Sequence, residues 1–216
     1  MTDTMTQIRD DLWQTRTESP FAAVTTHAYL WRGPRGNILF YSPVTDADFA
    51  AIDELGGVRA QYLSHLDEAG PMLMRIADRF GARLHAPAME LDAISKHAHV
   101  DVPVESRRHI DENGVEIVPT PGHSDGSTCY LVPGVDGEKY LFTGDTMFPT
   151  ADGTWSTFLV PGRGGADALR SSLELLATVQ PDIAISSAFG GDSAIETLGD
   201  GRWRGLVAEA LTTVPS

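Results

Sequence analysis

The sequence is poor in cysteine, in positive charge and in long apolar runs, and each shortage removes a class of protein. One cysteine, Cys129, in 216 residues excludes an internal disulfide framework. Lysine and arginine number 16 against 30 aspartate and glutamate, a formal net charge of -14, so a nucleic-acid backbone or an anionic membrane would be repelled. Arg107, Arg108 and His109, the densest basic cluster, read as a solvated loop. No apolar run approaches the ~18 residues of a membrane span. The polar start MTDTMTQIRDD also lacks the charged and apolar regions of a signal peptide. The expectation is a cytoplasmic protein with a small-molecule substrate, no nucleic-acid or membrane partner, and room for homo-oligomers. Histidine is scarce late in the chain: none follows His123.

What is present is ordinary globular composition, 42% hydrophobic and 21% charged, enough for a core in one domain over residues 1–216. DLWQT, AVTTHAYLW and NILFYSP read as strands, the last two joined by the hairpin turn RGPRG. TDADFAAIDELG reads as a helix and VRAQYLS as a buried strand. PMLMRIADRFG has helical spacing, a Pro start and a Gly stop. ARLHAP is a strand, PAMELDAISKHA a helix, and VEIVPTP, STCYLVP and EKYLFTG are successive strands. GADALRSSLELLATV, PDIAISS and DGRWRGLVAEALTTV close the chain as helix, strand and helix. This order predicts an α/β protein, a four-layer αββα sandwich with sites at strand ends.

Three segments carry chemistry. LSHLDEAGP places His65, Asp67 and Glu68 at the end of a strand, where alternation turns His65 and Asp67 to one side. Asp67 and Glu68 also suit the capping of the helix that follows. TPGHSDGST fixes His123 in a rigid Pro/Gly turn. FTGDTMF puts Asp145 after a glycine at a strand end. Two imidazoles and a carboxylate suit zinc or non-haem iron while leaving coordination positions open.

These segments resemble those of the metallo-β-lactamase superfamily, whose members carry an HxHxDH loop, a later histidine often in TPGHT, an aspartate in a GDT segment and a final histidine often in PGHG. TPGH at Thr120 to His123 and FTGDT at Phe142 to Thr146 match closely. The loop reads Leu63, Ser64, His65, Leu66, Asp67, Glu68, so leucine stands for the first histidine and glutamate for the last. SSAFGG places Phe189 where the final histidine is expected. The resemblance implies metal ligands His65, His123 and Asp145, with Asp67 as a further ligand and Asp67 or Glu68 as general base. It implies a mononuclear site holding one divalent metal, zinc first, with iron or manganese as alternatives. The activity implied is hydrolysis of an ester, thioester or amide. A non-catalytic binding protein of the same fold and a mononuclear iron oxygenase are the alternatives.

Other features compete for a role. GHSDG matches the GxSxG elbow and nominates Ser124, but strand rather than helix follows and no later histidine exists to serve it. His97 and His99 read as a solvent-exposed pair. Cys129 reads as a buried strand residue. Arg163 in PGRGGADAL could hold an anionic group at a helix start, and Trp155 and Phe158 could form an apolar substrate wall.

Overall fold

A computed structural model describes residues 4–21 and 24–215, apart from the Phe21 side chain. Met1 to Asp3 of the polar start and Ala23, the first residue of AVTTHAYLW, lie outside the described residues. The Gly-Pro turn forms as expected: strands Tyr29–Gly33 and Gly36–Phe40 pair antiparallel, with Gly33 opposite Gly36. Around this hairpin a seven-stranded sheet assembles, continued on one side by Leu12–Gln14 and Thr6–Arg9. On the other side it continues in parallel through Ala60–Tyr62, Arg83–Pro87 and Val102–Val104. A six-stranded sheet holds Glu116–Pro119, Thr128–Pro133, Lys139–Gly144 and Ile183–Ser186 at its centre.

Alternation along the second sheet explains the layering. Tyr130, Val132, Tyr140, Phe142, Ile183 and Ile185 face inward and join Tyr29, Leu30, Phe40 and Tyr62 in one core. Cys129, Leu131, Leu141 and Ala184 face outward and pack with residues of Ala166–Leu176 and Arg202–Thr213. A strand's side chains point alternately to its two faces, so one run of apolar residues serves both layers. Phe40 and Phe142 stack at 4.0 Å across the sandwich, a contact worth ~0.5–1.5 kcal/mol beyond its buried area. Under the first sheet, Leu63, Leu84 and Ala86 pack against Leu73 of Met72–Phe80 and Ile94 of Leu91–Ile94. The result is the four-layer αββα sandwich. Among the described residues no helix is long and apolar enough to cross a membrane.

Two of the expected elements take a different form, and short edge strands such as Val102–Val104 and Ile195–Thr197 add to those expected. The helix expected over PAMELDAISKHA is a 3-10 turn, Ala88–Glu90, followed by the single turn Leu91–Ile94. Glu90 is turned inward, where it accepts the Gly126 amide at 3.1 Å, and this tertiary bond overrides helix propensity. AVTTHAYLW, expected as one strand, is broken at His27. Val24–Thr26 pairs instead with Ala188–Phe189 and Glu18–Phe21 in a separate three-stranded sheet. This small sheet brings His27 and Phe189 to one place, their rings stacked at 5.2 Å.

Candidate metal centre

Each of the two motif segments uses a glycine to aim the next residue. Gly144 has φ of 54° and lies against Ser64, so that a Cβ would overlap the Ser64 hydroxyl. Gly122 has φ of 142°, and a Cβ there would strike the backbone of Leu169. Only glycine meets both demands, a positive φ and a close approach. His123 and Asp145 are thereby brought beside His65, which follows the strand Ala60–Tyr62 and precedes a 3-10 turn, Leu66–Glu68. One ligand atom from each of His65, His123 and Asp145 falls within 4.8 Å of the others. The two imidazoles meet edge to face, centroids 4.6 Å apart.

The surrounding hydrogen bonds decide which nitrogens are free. His123 Nδ1 donates to the Phe158 carbonyl at 2.9 Å, leaving Nε2, which is buried and has no hydrogen-bond partner among the described residues. His65 Nδ1 donates to Ser64 Oγ at 2.8 Å, and that hydroxyl donates onward to Glu68. The Glu68 carboxylate also lies 3.2 Å from His65 Nδ1 and accepts the Ser64 amide at 2.9 Å. Both rings are thus held by Nδ1 and present Nε2 to the cluster, the arrangement that fixes the tautomer of a metal-binding histidine. His65 Nε2 lies 3.6 Å from Asp145 Oδ2, while Ser187 donates to Asp145 Oδ1 at 2.9 Å.

The charges are strongly coupled. Burial disfavours a charged His65, yet Asp145 and Glu68 outweigh it and raise the imidazole to about 9. Burial and the neighbouring His65 lower His123. Burial pushes Glu68 above the ordinary carboxylate range, opposed by His65 and Ser64. A buried cationic imidazole beside two carboxylates is what remains when a proton stands where a metal would otherwise balance them. The donor set and the buried Nε2 of His123 fit one divalent ion.

The cluster forms the floor of a cavity of about 990 Å³. Asp67 lies in its wall, exposed and outside the three-residue cluster. Glu68 also reaches the wall, but its oxygens are engaged by Ser64 and His65. Leu63, read as a replaced ligand, is fully buried in the layer under the sheet and takes no part in the wall. Phe189 does line the cavity, against His27. Phe158 lines it as expected, whereas Trp155 is buried in the outer core. Ser124 is fully buried with its hydroxyl bonded to Ser127, so it cannot act as a nucleophile. His97 and His99 are exposed. Arg163 is exposed outside the cavity wall. Its loop instead braces the histidine turn, through Val160 N to His123 O at 2.8 Å and Gly165 N to Gly122 O at 2.9 Å. Burial raises the Cys129 thiol to about 11, which leaves it unreactive.

Three contributors escaped the sequence reading. Tyr41 adopts φ of 68°; its hydroxyl accepts from Gly144 N at 2.8 Å and donates to Ile185 O at 3.0 Å. It therefore fixes the strand end that presents Asp145. Ser187 steadies the carboxylate. His27 is 5% exposed, and its Nδ1 faces the carbonyls of Thr15 at 2.8 Å and Arg16 at 3.1 Å. Tyr41 and His27 belong to no motif, and Ser187 lies in SSAFGG, where the motif points to the Phe189 position instead; the pairing of distant strands brings all three in.

Comparison with known proteins agrees with this geometry. Residues 49–187 match the family model for the metallo-beta-lactamase superfamily, and the chain belongs to that superfamily. A hydroxyacylglutathione hydrolase of Rhizobium meliloti is 34% identical over 112 residues, 51% of this chain and 39% of that protein. A probable metallo-hydrolase of Methanocaldococcus jannaschii is 30% identical over 120 residues, 56% of this chain and 49% of that protein. The matched stretch thus spans less than half of either relative. Among solved structures, a metallo-β-lactamase from Hirschia baltica superposes with a TM-score of 0.73 at 14% identity, covering 100% of both chains. One from Pontibacter korlensis gives 0.69 at 12% identity, covering 97% of both. At such identity these two establish the fold.

Proposed function

We propose that the chain is a metal-dependent hydrolase with a mononuclear site, acting on an ester, thioester or amide. The observation that carries this reading is the buried, unpartnered Nε2 of His123, facing His65 and Asp145 at the floor of a cavity. His65 and His123 would hold the ion through Nε2 and Asp145 through a carboxylate oxygen, with zinc the first choice for such a set and iron or manganese the alternatives. When bound, the metal would act as a Lewis acid and acidify a water molecule.

The chain's own residues divide the remaining work. Glu68 and Ser64 hold the His65 ring by its Nδ1 edge, so Glu68 acts as a positioning residue rather than as the base. Asp67 lies in the cavity wall with no hydrogen bond to another described residue. Asp67 would serve either as a fourth ligand or as the base that takes a proton from the attacking water. The relatives named as hydrolases support the reaction class.

The test is metal analysis of protein purified without affinity-tag nickel, together with ester and thioester turnover. We expect one metal per chain, loss of metal in His123→Ala, and loss of turnover in Asp145→Asn. A chain that neither holds nor rebinds metal, and in which His123→Ala changes nothing, would refute the reading.

A further inference from the structure

The cavity above the metal centre carries information on what it admits. Val24, Val44, Met72, Phe148, Phe158 and Phe189 line it, while the described part of its wall contains no lysine or arginine. The ionisable groups that do reach the described wall are the histidines His27, His65 and His123, the carboxylates Asp67, Glu68 and Asp145, and the phenol of Tyr41. Burial lowers His27 below the usual imidazole value, so this ring, stacked on Phe189, is neutral near pH 7. Its Nδ1 faces the carbonyls of Thr15 and Arg16, and the proton therefore sits on Nδ1. Its Nε2 is left as an acceptor, with no cation to offer an anionic ligand.

From these residues we infer that the site takes an uncharged acyl compound with a bulky apolar part, and turns away substrates that carry a carboxylate remote from the scissile bond. The inference rests on the hydrolase reading above and specifies its substrate class. The volume of about 990 Å³ lies at the upper end of the ~300–1,000 Å³ typical of small-molecule sites, enough for a ring or a medium-length alkyl chain. A remote carboxylate seated among these apolar residues, away from the metal centre, would give up its hydration without a lysine or arginine partner, with Asp67 exposed in the same wall. A glutathione thioester, with its two carboxylates, is disfavoured by the same argument. In the reaction the water oxygen bonds to the acyl carbon and the acyl C–O or C–S bond breaks. One proton passes to the departing alcohol or thiol, and the acid product loses another to solvent. That product is an anion, and away from the metal centre the described wall has no lysine or arginine to retain it.

The zinc-loaded chain should be assayed on 4-nitrophenyl hexanoate and on mono-4-nitrophenyl hexanedioate, acyl chains of equal length without and with a terminal carboxylate. We expect kcat/KM about tenfold or more higher for the uncharged ester, equivalent to roughly 1.4 kcal/mol, and a narrowed gap in Val44→Arg, which sets a cation at the mouth. Equal values, or preference for the carboxylate ester, would overturn the inference and leave the hydrolase reading standing. Fluorescence titration with N-phenyl-1-naphthylamine and with its 8-sulfonate needs no turnover. Tighter binding of the uncharged dye, weakened by Phe158→Ser, supports the inference even if no ester is cleaved, in which case the hydrolase reading alone fails. Equal or tighter binding of the sulfonate overturns it.

Discussion

Glu68 stands at a position where a histidine was expected, and its contacts give it a different task. It receives the amide and hydroxyl of Ser64 and, through that hydroxyl, the Nδ1 proton of His65. A carboxylate behind a ligating histidine fixes its tautomer and raises its basicity, and loss of such a partner costs ~10–100-fold in metal affinity. Glu68→Gln keeps the shape and removes the charge. Its zinc dissociation constant, measured by competition with a chromophoric chelator, should rise within that range. An unchanged constant would show that Glu68 is a structural cap. His123 and Asp145 were legible because each sits in a short motif whose glycine dictates local geometry. Tyr41 and Ser187 were not, since their contacts arise only when Ile183–Ser186 pairs beside Lys139–Gly144. His27 stayed hidden inside what read as an uninterrupted strand.

At the level of elements, the strand end that presents Asp145 depends on a glycine for two separate reasons. Gly144→Ala would incur a left-handed backbone penalty of ~1 kcal/mol together with the steric overlap at Ser64. Gly81, which ends the helix Met72–Phe80 at φ of 65°, has nothing within 4 Å of a prospective Cβ. Gly81→Ala therefore reports the backbone penalty alone. Denaturant unfolding should show Gly144→Ala destabilised by ~2–4 kcal/mol, well beyond Gly81→Ala; equal losses would mean that Ser64 yields freely. The central strands of the two large sheets and the longer helices were readable from periodicity and from Gly and Pro stops. The helix Leu91–Ile94 was overestimated because Glu90 is drawn to the Gly126 amide, a partner 36 positions away. Leu63 stands where the motif leads one to expect a histidine, and its side chain lies in the layer under the sheet and takes no part in the cavity wall.

For the whole molecule, a proton and the proposed metal would compete for one pocket. In the metal-free protein, the raised His65 contributes stability that is fully present below its unfolded value of ~6.5. That contribution is lost as pH rises through about 9. A metal requires the neutral ring, so its uptake between these limits must expel the proton. Calorimetric titration with zinc at pH 7.5, repeated in buffers of different ionisation enthalpy, should report release of about one proton per site and tightening affinity toward pH 9. No release would mean that His65 is neutral before metal arrives. The αββα layering itself was legible because alternation in the central strands supplies two opposite apolar faces. The separate three-stranded sheet was not, since it joins segments from the two ends of the chain.

Phe158 contributes its ring to the cavity wall and its carbonyl to His123 Nδ1. A guest that displaces this residue therefore acts on the imidazole, and an ion gripping the imidazole acts on the same backbone. Thermodynamic linkage makes the two effects equal in free energy: whatever factor an apolar guest applies to metal affinity, the metal must apply to the affinity for that guest.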